Sequence, residues 1–345
     1  MGRAVQKKVS KKAGVRTKKT IAKTQKKSGG ASKQAIAPVR CPTFTLNNGT
    51  KIPVLGLGTF LFDDCKQQVK DAILKYGYRH IDTASLYGNE EAIGEALQEC
   101  FAAGIKRKDL WITTKLWHDD KRNPEKALKL SLKKLKLDYV DLYLIHWMRV
   151  DIKWEGQKPK IISPPTHEVW KNMESLVKKG LTKSIGVSNC TMPMLFDLIA
   201  GCKIKPVVNQ IELHPYFQQT RVNEFHHKLG VYIQSYGSIG AGQFTMREDR
   251  HKNVSVLSDP LIKRIAKAKG KSPAQIVLAW HIQRKCIPLA KTSKEERLAE
   301  NISAAYSVKL SAQEVKQIDG LDSNVRLFNP KFMNALGWNG MPYFE

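Results

Sequence analysis

Four polar residues, Asp82, Tyr87, Lys115 and His146, stand where successive apolar runs give out. The runs end as His80-Ile81-Asp82-Thr83-Ala84, Thr113-Thr114-Lys115-Leu116-Trp117 and Leu144-Ile145-His146-Trp147, and Ser85-Leu86-Tyr87-Gly88-Asn89-Glu90 follows the first of them. Their types suit the reduction of a carbonyl, which needs a hydride at carbon and a proton at oxygen. A tyrosine hydroxyl can give the proton, although its ordinary pKa is about 10. A buried lysine ammonium beside it stabilises the phenolate and lowers that value; moving it by two or three pH units takes roughly 3–4 kcal/mol. The lysine must then stay charged out of water, which an adjacent aspartate secures. A histidine can orient and polarise the carbonyl oxygen. Taken singly, an Asp or Lys at a strand end is commonly a plain ion pair and a histidine in an apolar strand a satisfied core residue. All four at successive strand ends favour the chemical reading.

Those four residues meet only if the strands that carry them open onto one mouth. Short apolar runs at 54–58, 79–83, 110–114, 140–146, 183–187, 206–210, 231–236 and 286–290 read as strands. Helical spacing separates most of them: Val69, Ile73 and Tyr76; Asn89 through Ile93 and Leu97; Leu128, Leu132 and Leu135; and Leu176 ahead of Gly180. Eight strands alternating with helices imply parallel pairing through right-handed crossovers. A doubly wound dinucleotide-binding sheet needs Gly-x-Gly-x-x-Gly at its first turn. Here Gly56-Leu57-Gly58-Thr59-Phe60-Leu61 lacks the third glycine, and the strand count matches a (β/α)8 barrel. Asn47-Asn48-Gly49-Thr50 between Phe44-Thr45-Leu46 and Ile52-Pro53-Val54 predicts a hairpin before it. Two stretches, 148–165 and 237–257, interrupt the alternation on the face where barrel enzymes build their sites. A last helix is expected near 311–320, ahead of an irregular aromatic-rich tail over 325–345.

The barrel is expected to occupy residues 41–345, and residues 1–40 to form a disordered arm. These forty contain thirteen Lys or Arg and no acid, within a chain of net charge +27. With no aromatic they cannot bury enough apolar surface to fold alone. Such an arm suits a solubilising extension, a nuclear-localisation or nucleic-acid-contacting tail, or more weakly an organellar presequence. Myristoylation is excluded by Gln6. No run of about 18 apolar residues predicts a membrane span. The six cysteines show no Cys-x-x-Cys pairing, and with no secretory leader they read as reduced thiols in a cytoplasmic protein, nuclear or organellar targeting by the arm aside. His226, His227 and His251 lack metal-ligand spacing, so no metal is expected. Cys190 and Ser188 lack a nucleophile-elbow motif.

From about Phe44 to the C-terminus the sequence resembles the aldo-keto reductases, with Asp82 to Glu90, Lys115-Leu116-Trp117 and His146-Trp147 matching that family's tetrad segments in spacing and order. Gly56-Leu57-Gly58-Thr59, Ile185-Gly186-Val187-Ser188-Asn189 and Asn209-Gln210-Ile211-Glu212-Leu213-His214-Pro215-Tyr216 extend the match. The resemblance implies an NADPH-dependent reductase of aldehydes or aldoses, and of ketones by the same chemistry, acting on a small-molecule carbonyl and working as a monomer. It implies that Ser188, Asn189 and Gln210 hold the nicotinamide carboxamide and that Tyr236 stacks on the ring. Lys291 to Asn301 resembles the adenosine end of the cofactor site. Lys291 and Arg297 have the charge and spacing to hold a 2′-phosphate, which favours NADPH over NADH.

Phe60 stands where many relatives have Trp, and Met148 where Pro is usual. Phe60, Trp117 and Trp147 are expected to line an apolar mouth suited to aldehydes. Tyr236-Gly237-Ser238-Ile239-Gly240 replaces a commoner Tyr-Ser-Pro-Leu-Gly, so the rigidity that proline imposes is expected to be lost there. Phe328, Asn329 and Trp338 resemble the specificity loop, and Arg326 to Pro330 the xylose reductases. Two other function classes fit parts of the chain. One is a binding protein on the same barrel, like the channel-associated β subunits that resemble this family. The other is a nucleic-acid-associated protein acting through its arm, for which the barrel shows no recognition module.

Overall fold

All eight apolar runs form strands, and the strands close into a parallel barrel. The computed structural model describes residues 41–148, 152–155, 158–240 and 254–328. The basic arm over 1–40, most of the 237–257 loop, and Asn329 and Trp338 in the tail lie outside the described residues.

A hairpin comes first, β1 (Thr43–Thr45) and β2 (Lys51–Pro53), paired antiparallel around the Asn-Asn-Gly-Thr turn. The barrel opens with β3 (Gly56–Gly58), β4 (His80–Asp82), β5 (Trp111–Leu116) and β6 (Val140–Ile145). An antiparallel pair outside the barrel follows, β7 (Ile152–Glu155) and β8 (Lys158–Ile161), within the stretch read from sequence only as an interruption. The barrel resumes with β9 (Thr182–Ser188), β10 (Val208–Glu212), β11 (Tyr232–Tyr236) and β12 (Ile287–Ala290), and β12 pairs with β3 to close it. The helices are α1 (Cys65–Leu74), α2 (Glu90–Ala102), α3 (Pro124–Leu135), α4 (Thr166–Lys178), α5 (Met192–Gly201), α6 (Thr220–Leu229), α7 (Pro260–Lys269), α8 (Pro273–Gln283), α9 (Glu295–Ser307) and α10 (Ala312–Asp319). None of the described helices is long and apolar enough to cross a membrane.

Local sequence explains these elements. In α3, Asn123 caps the first turn by accepting from the Lys126 amide, Pro124 fills the first helical position, and Lys136 ends the helix in a left-handed conformation. Leu128, Leu132 and Leu135 then bury one stripe, each contributing about 1.5–3 kcal/mol. Tyr76, although in helical register with Val69 and Ile73, lies beyond the end of α1. Gly94 lets α2 approach α3, since a Cβ there would run into the backbone of Lys134 and Leu135.

Strands β5 and β6 are buried along their whole length, as expected for parallel strands covered by helices outside and packed side chains inside. The hairpin covers the end of the barrel where the strands begin. Asn47 donates to the Pro206 carbonyl at 2.9 Å, Asn48 to the Ser184 hydroxyl at 2.9 Å, and Phe44 stacks on Tyr232 at 5.3 Å. With that end closed, the strand ends that carry the polar residues form the open mouth.

Candidate active site

Lys115 is the centre of the mouth. Its ammonium is fully buried and donates to Asp82 Oδ1 at 2.6 Å, to the Thr83 carbonyl at 2.8 Å and to the Tyr87 hydroxyl at 3.4 Å. Three hydrogens thus meet three acceptors, so the desolvated charge is matched by partners. The Tyr87 contact is the longest of the three. Asp82 is held from its other side by Gln210, which donates to Oδ2 at 2.8 Å.

Tyr87 ends a short 3₁₀ turn, Ser85–Tyr87, closed by Gly88 at φ 69°. The turn is tied down around it. Ser85 donates to the Lys115 carbonyl, Asn89 to the Thr59 carbonyl, and Thr83 to the Asn89 amide oxygen. The Tyr87 oxygen accepts from Lys115, and its own hydrogen has no acceptor among the described residues. The imidazole of His146 lies edge-on to the Tyr87 ring at 5.8 Å and to Trp117 at 5.2 Å. Its Nδ1 is buried with no hydrogen-bond partner among the described residues.

Burial shapes the protonation of all four groups, and it raises the Asp82 carboxyl although Lys115 and Gln210 pull it down. It pushes the Tyr87 phenol above its ordinary value, and Lys115 pulls the other way without overcoming it. The sequence led us to expect a net lowering. The lysine acts in that direction, but removing the phenolate from water costs more than one ammonium at 3.4 Å returns. At neutral pH Tyr87 therefore keeps its proton. Burial works against the charge on Lys115, yet Asp82 and Tyr87 together hold the ammonium above the usual lysine value. Burial, then Lys115, then His118, depress His146 far below the ordinary histidine range, so its ring is neutral.

Phe60 packs on Tyr87 at 4.8 Å, Trp117 meets His146, and Trp147 is buried directly after it.

The residues assigned to the cofactor line the next strand ends. Ser188 closes β9 and donates to the Gln210 carbonyl at 2.8 Å. Asn189 follows with φ 53°, donating to the His146 carbonyl and accepting from the Tyr236 hydroxyl at 2.8 Å. Tyr236 is half-buried at the end of β11. Gln210 uses its amide nitrogen on protein partners, and its oxygen accepts nothing among the described residues. Further round, Lys291 follows β12, and Arg297 lies in the first turn of α9. Both are exposed, without an ion pair among the described residues, while the neighbouring Glu295 is bound by Lys75 and Tyr76. Asn301 is buried in α9, and its amide makes no hydrogen bond among the described residues.

A sequence model described as the aldo/keto reductase family matches residues 47–323, most of the chain. The chain belongs to the aldo/keto reductase family. It is 38% identical over 301 residues to aldo-keto reductase family 1 member A1 of Mus musculus, covering 83% of this chain and 90% of that one. It is 39% identical to the aldose reductase of Encephalitozoon cuniculi (strain GB-M1), covering 84% and 96%. It is 37% identical to the NAD(P)H-dependent D-xylose reductase I,II of Candida tropicalis, covering 88% and 98%.

Within this aldo/keto reductase, the departure at Gly237-Ser238 does not leave the loop loose where it is described. Ser238 is buried and donates to the Leu289 carbonyl at 2.8 Å, and its own carbonyl meets His281 at 2.9 Å. Hydrogen bonds replace the restraint a proline would supply. Gly237 at φ 63° also lets Phe328 close in, since a Cβ there would come within 2.6 Å of that ring.

Three residues of this reductase's mouth and interior carried no assigned role in the sequence. Glu212, fully buried at the end of β10, accepts from the Leu327 amide at 2.6 Å and the Phe328 amide at 3.1 Å, and so fastens the chain where it reaches the mouth. Phe328 then stands edge-on to Tyr236 at 5.3 Å. His80 and Gln234 are polar residues on inward-facing positions of β4 and β11. The signal was there, a polar side chain two residues before an assigned one in each strand, but which partners they meet is a property of the closed barrel.

Proposed function

We propose that this chain reduces aldehydes, aldoses among them, and ketones by the same chemistry, to alcohols with NADPH, and that Tyr87 is the general acid. One observation carries the reading: the Tyr87 hydroxyl accepts from a buried ammonium and keeps its own proton uncommitted among the described residues, in an apolar mouth. That polarity is what a proton donor to a carbonyl oxygen needs. Lys115 eases formation of the phenolate as the proton leaves, and Asp82 keeps Lys115 charged. His146, neutral and edge-on to Tyr87, has a ring N–H to offer the carbonyl oxygen and so orients it. Phe60, Trp117 and Trp147 exclude water from the reacting carbon.

NADPH, when bound, supplies the hydride. The residues present fit it. The uncommitted oxygen of Gln210 and the side chains of Ser188 and Asn189 would hold the carboxamide, and the Tyr236 ring would carry the nicotinamide. Lys291 and Arg297, free of ion pairs among the described residues, would hold the 2′-phosphate, with Asn301 beside them. Two cations left unpaired by NADH favour the phosphorylated cofactor. The relatives named as an aldose reductase and a xylose reductase support aldoses within the substrate class.

The test follows the loss of reduced-nicotinamide absorbance with glyceraldehyde, xylose and aromatic aldehydes, NADPH and NADH being run in parallel. Turnover with NADPH is the expected result. Tight NADPH binding without turnover on any of these substrates would instead mean a binding role for the barrel.

A further inference from the structure

Inside the barrel, below the mouth, a row of side chains continues from the tetrad towards the closed end. Gln210 donates through its amide nitrogen to Asp82 Oδ2 at 2.8 Å and to Gln234 Oε1 at 2.7 Å. Gln234 in turn reaches His80 Nε2 through its own amide nitrogen at 3.1 Å. Asp82, Gln210, Gln234 and His80 are all buried.

The direction of every bond in this row follows from its anionic end. Asp82, paired with Lys115, can only accept, so the nitrogen of Gln210 must face it. The second hydrogen on that nitrogen then points at Gln234, which must present its oxygen. Gln234 is left with its nitrogen towards His80, and the Nε2 of His80 must therefore be the unprotonated, accepting nitrogen, with the ring hydrogen on a buried Nδ1 that has no hydrogen-bond partner among the described residues. A ring protonated on both nitrogens would set donor against donor and break the row. Burial, which pushes His80 down to about 3, keeps the ring neutral.

The consequence lies at the other end. Held by Asp82 alone, the amide of Gln210 would keep one fixed hydrogen bond and could swing about it. Held by Asp82 and Gln234 together, both hydrogens are spent and the plane of the amide is fixed. Only its oxygen remains, and an oxygen can only accept.

We infer that Gln234, backed by His80, is a positioning residue that locks the Gln210 amide with its oxygen towards the cofactor, so that the site selects a nicotinamide bearing an N–H2 group. The inference rests on the proposed placement of the cofactor at Gln210. It assigns a role to two interior residues that touch neither substrate nor cofactor.

The experiment compares binding of NADP+ with that of its 3-acetylpyridine analogue, which keeps the ring carbonyl but has a methyl group in place of N–H2. Binding to the full chain is read from quenching of tryptophan fluorescence, so the measurement does not depend on turnover. The wild-type protein should bind NADP+ about tenfold more tightly, the size of one well-placed hydrogen bond. In Gln234→Met, close in shape but with no acceptor for Gln210, that preference should fall to within about threefold of unity. Gln234→Glu should restore it, because its carboxyl accepts from Gln210 and can share one proton with His80. If Gln234→Met fails to fold, Gln234→Thr, too short to reach either partner, takes its place.

A folded Gln234→Met or Gln234→Thr protein that keeps the full wild-type preference, while Gln210→Met loses it, would overturn the inference and leave the cofactor placement intact. A wild-type protein that binds both dinucleotides equally, with no response to Gln210→Met, would remove the cofactor from Gln210 and the inference with it.

Discussion

Lys115 and the pair Lys291 and Arg297 carry the same charge in opposite surroundings. Lys115 has no exposed surface and three hydrogen-bond partners. Lys291 and Arg297 are exposed, and neither forms an ion pair among the described residues. The physical difference is screening. A charge pair about 4 Å apart interacts by about 1 kcal/mol in water and about 4 kcal/mol in a protein-like surrounding. A buried ammonium can therefore bias the protonation of a neighbouring phenol, whereas an exposed cation contributes chiefly to the capture of an anion. On the proposed function the contrast separates residues that would do the chemistry from residues that would hold the cofactor, and it can be broken at either side.

The largest effect is expected at the proposed acid. Tyr87→Phe should lower kcat for carbonyl reduction by roughly 10²–10⁴-fold, the usual contribution of a general acid, with NADPH affinity nearly unchanged. Single-turnover kinetics beside a fluorescence titration measure both quantities, and retained turnover would remove Tyr87 from the chemistry.

Next comes the anchor. Asp82→Asn leaves the Lys115 ammonium buried without its anion, which should cost roughly 3–5 kcal/mol of stability in denaturant unfolding. A loss below about 1 kcal/mol would place the pair in the class of exposed ion pairs and erase the contrast with Arg297. The smallest effect is expected at the rim. Arg297→Ala should weaken NADPH by about tenfold and leave NADH almost untouched, with stability unchanged. Equal losses for both cofactors would mean that Arg297 does not read the 2′-phosphate.

The contrast was only partly legible in the sequence. The eight strands were, because each is a short apolar run punctuated by helical spacing, and such runs depend on neighbours along the chain. Their bounds moved by one or two residues, as at Val208–Glu212 against 206–210, since the ladder with β9 and β11 decides where pairing stops. The antiparallel pair β7 and β8 is not legible in the sequence, since its lysines and prolines give no strand alternation.

What the sequence determined by itself was which residues meet. Asp82, Tyr87, Lys115 and His146 stand out because carbonyl chemistry restricts residue type and because successive strand ends must share one mouth, and the closed barrel brings them together. Only the tertiary structure decided how those residues are balanced. Burial, not Lys115, sets the direction in which the Tyr87 phenol moves, and burial depends on how completely the barrel closes around it. Ser238 takes over the restraint of a missing proline because Leu289 and His281, fifty-one and forty-three residues away, offer it partners. Glu212 finds the Leu327 and Phe328 amides across more than a hundred residues. Periodicity along the chain carries no information about contacts at such separations, because closing the barrel is what creates them.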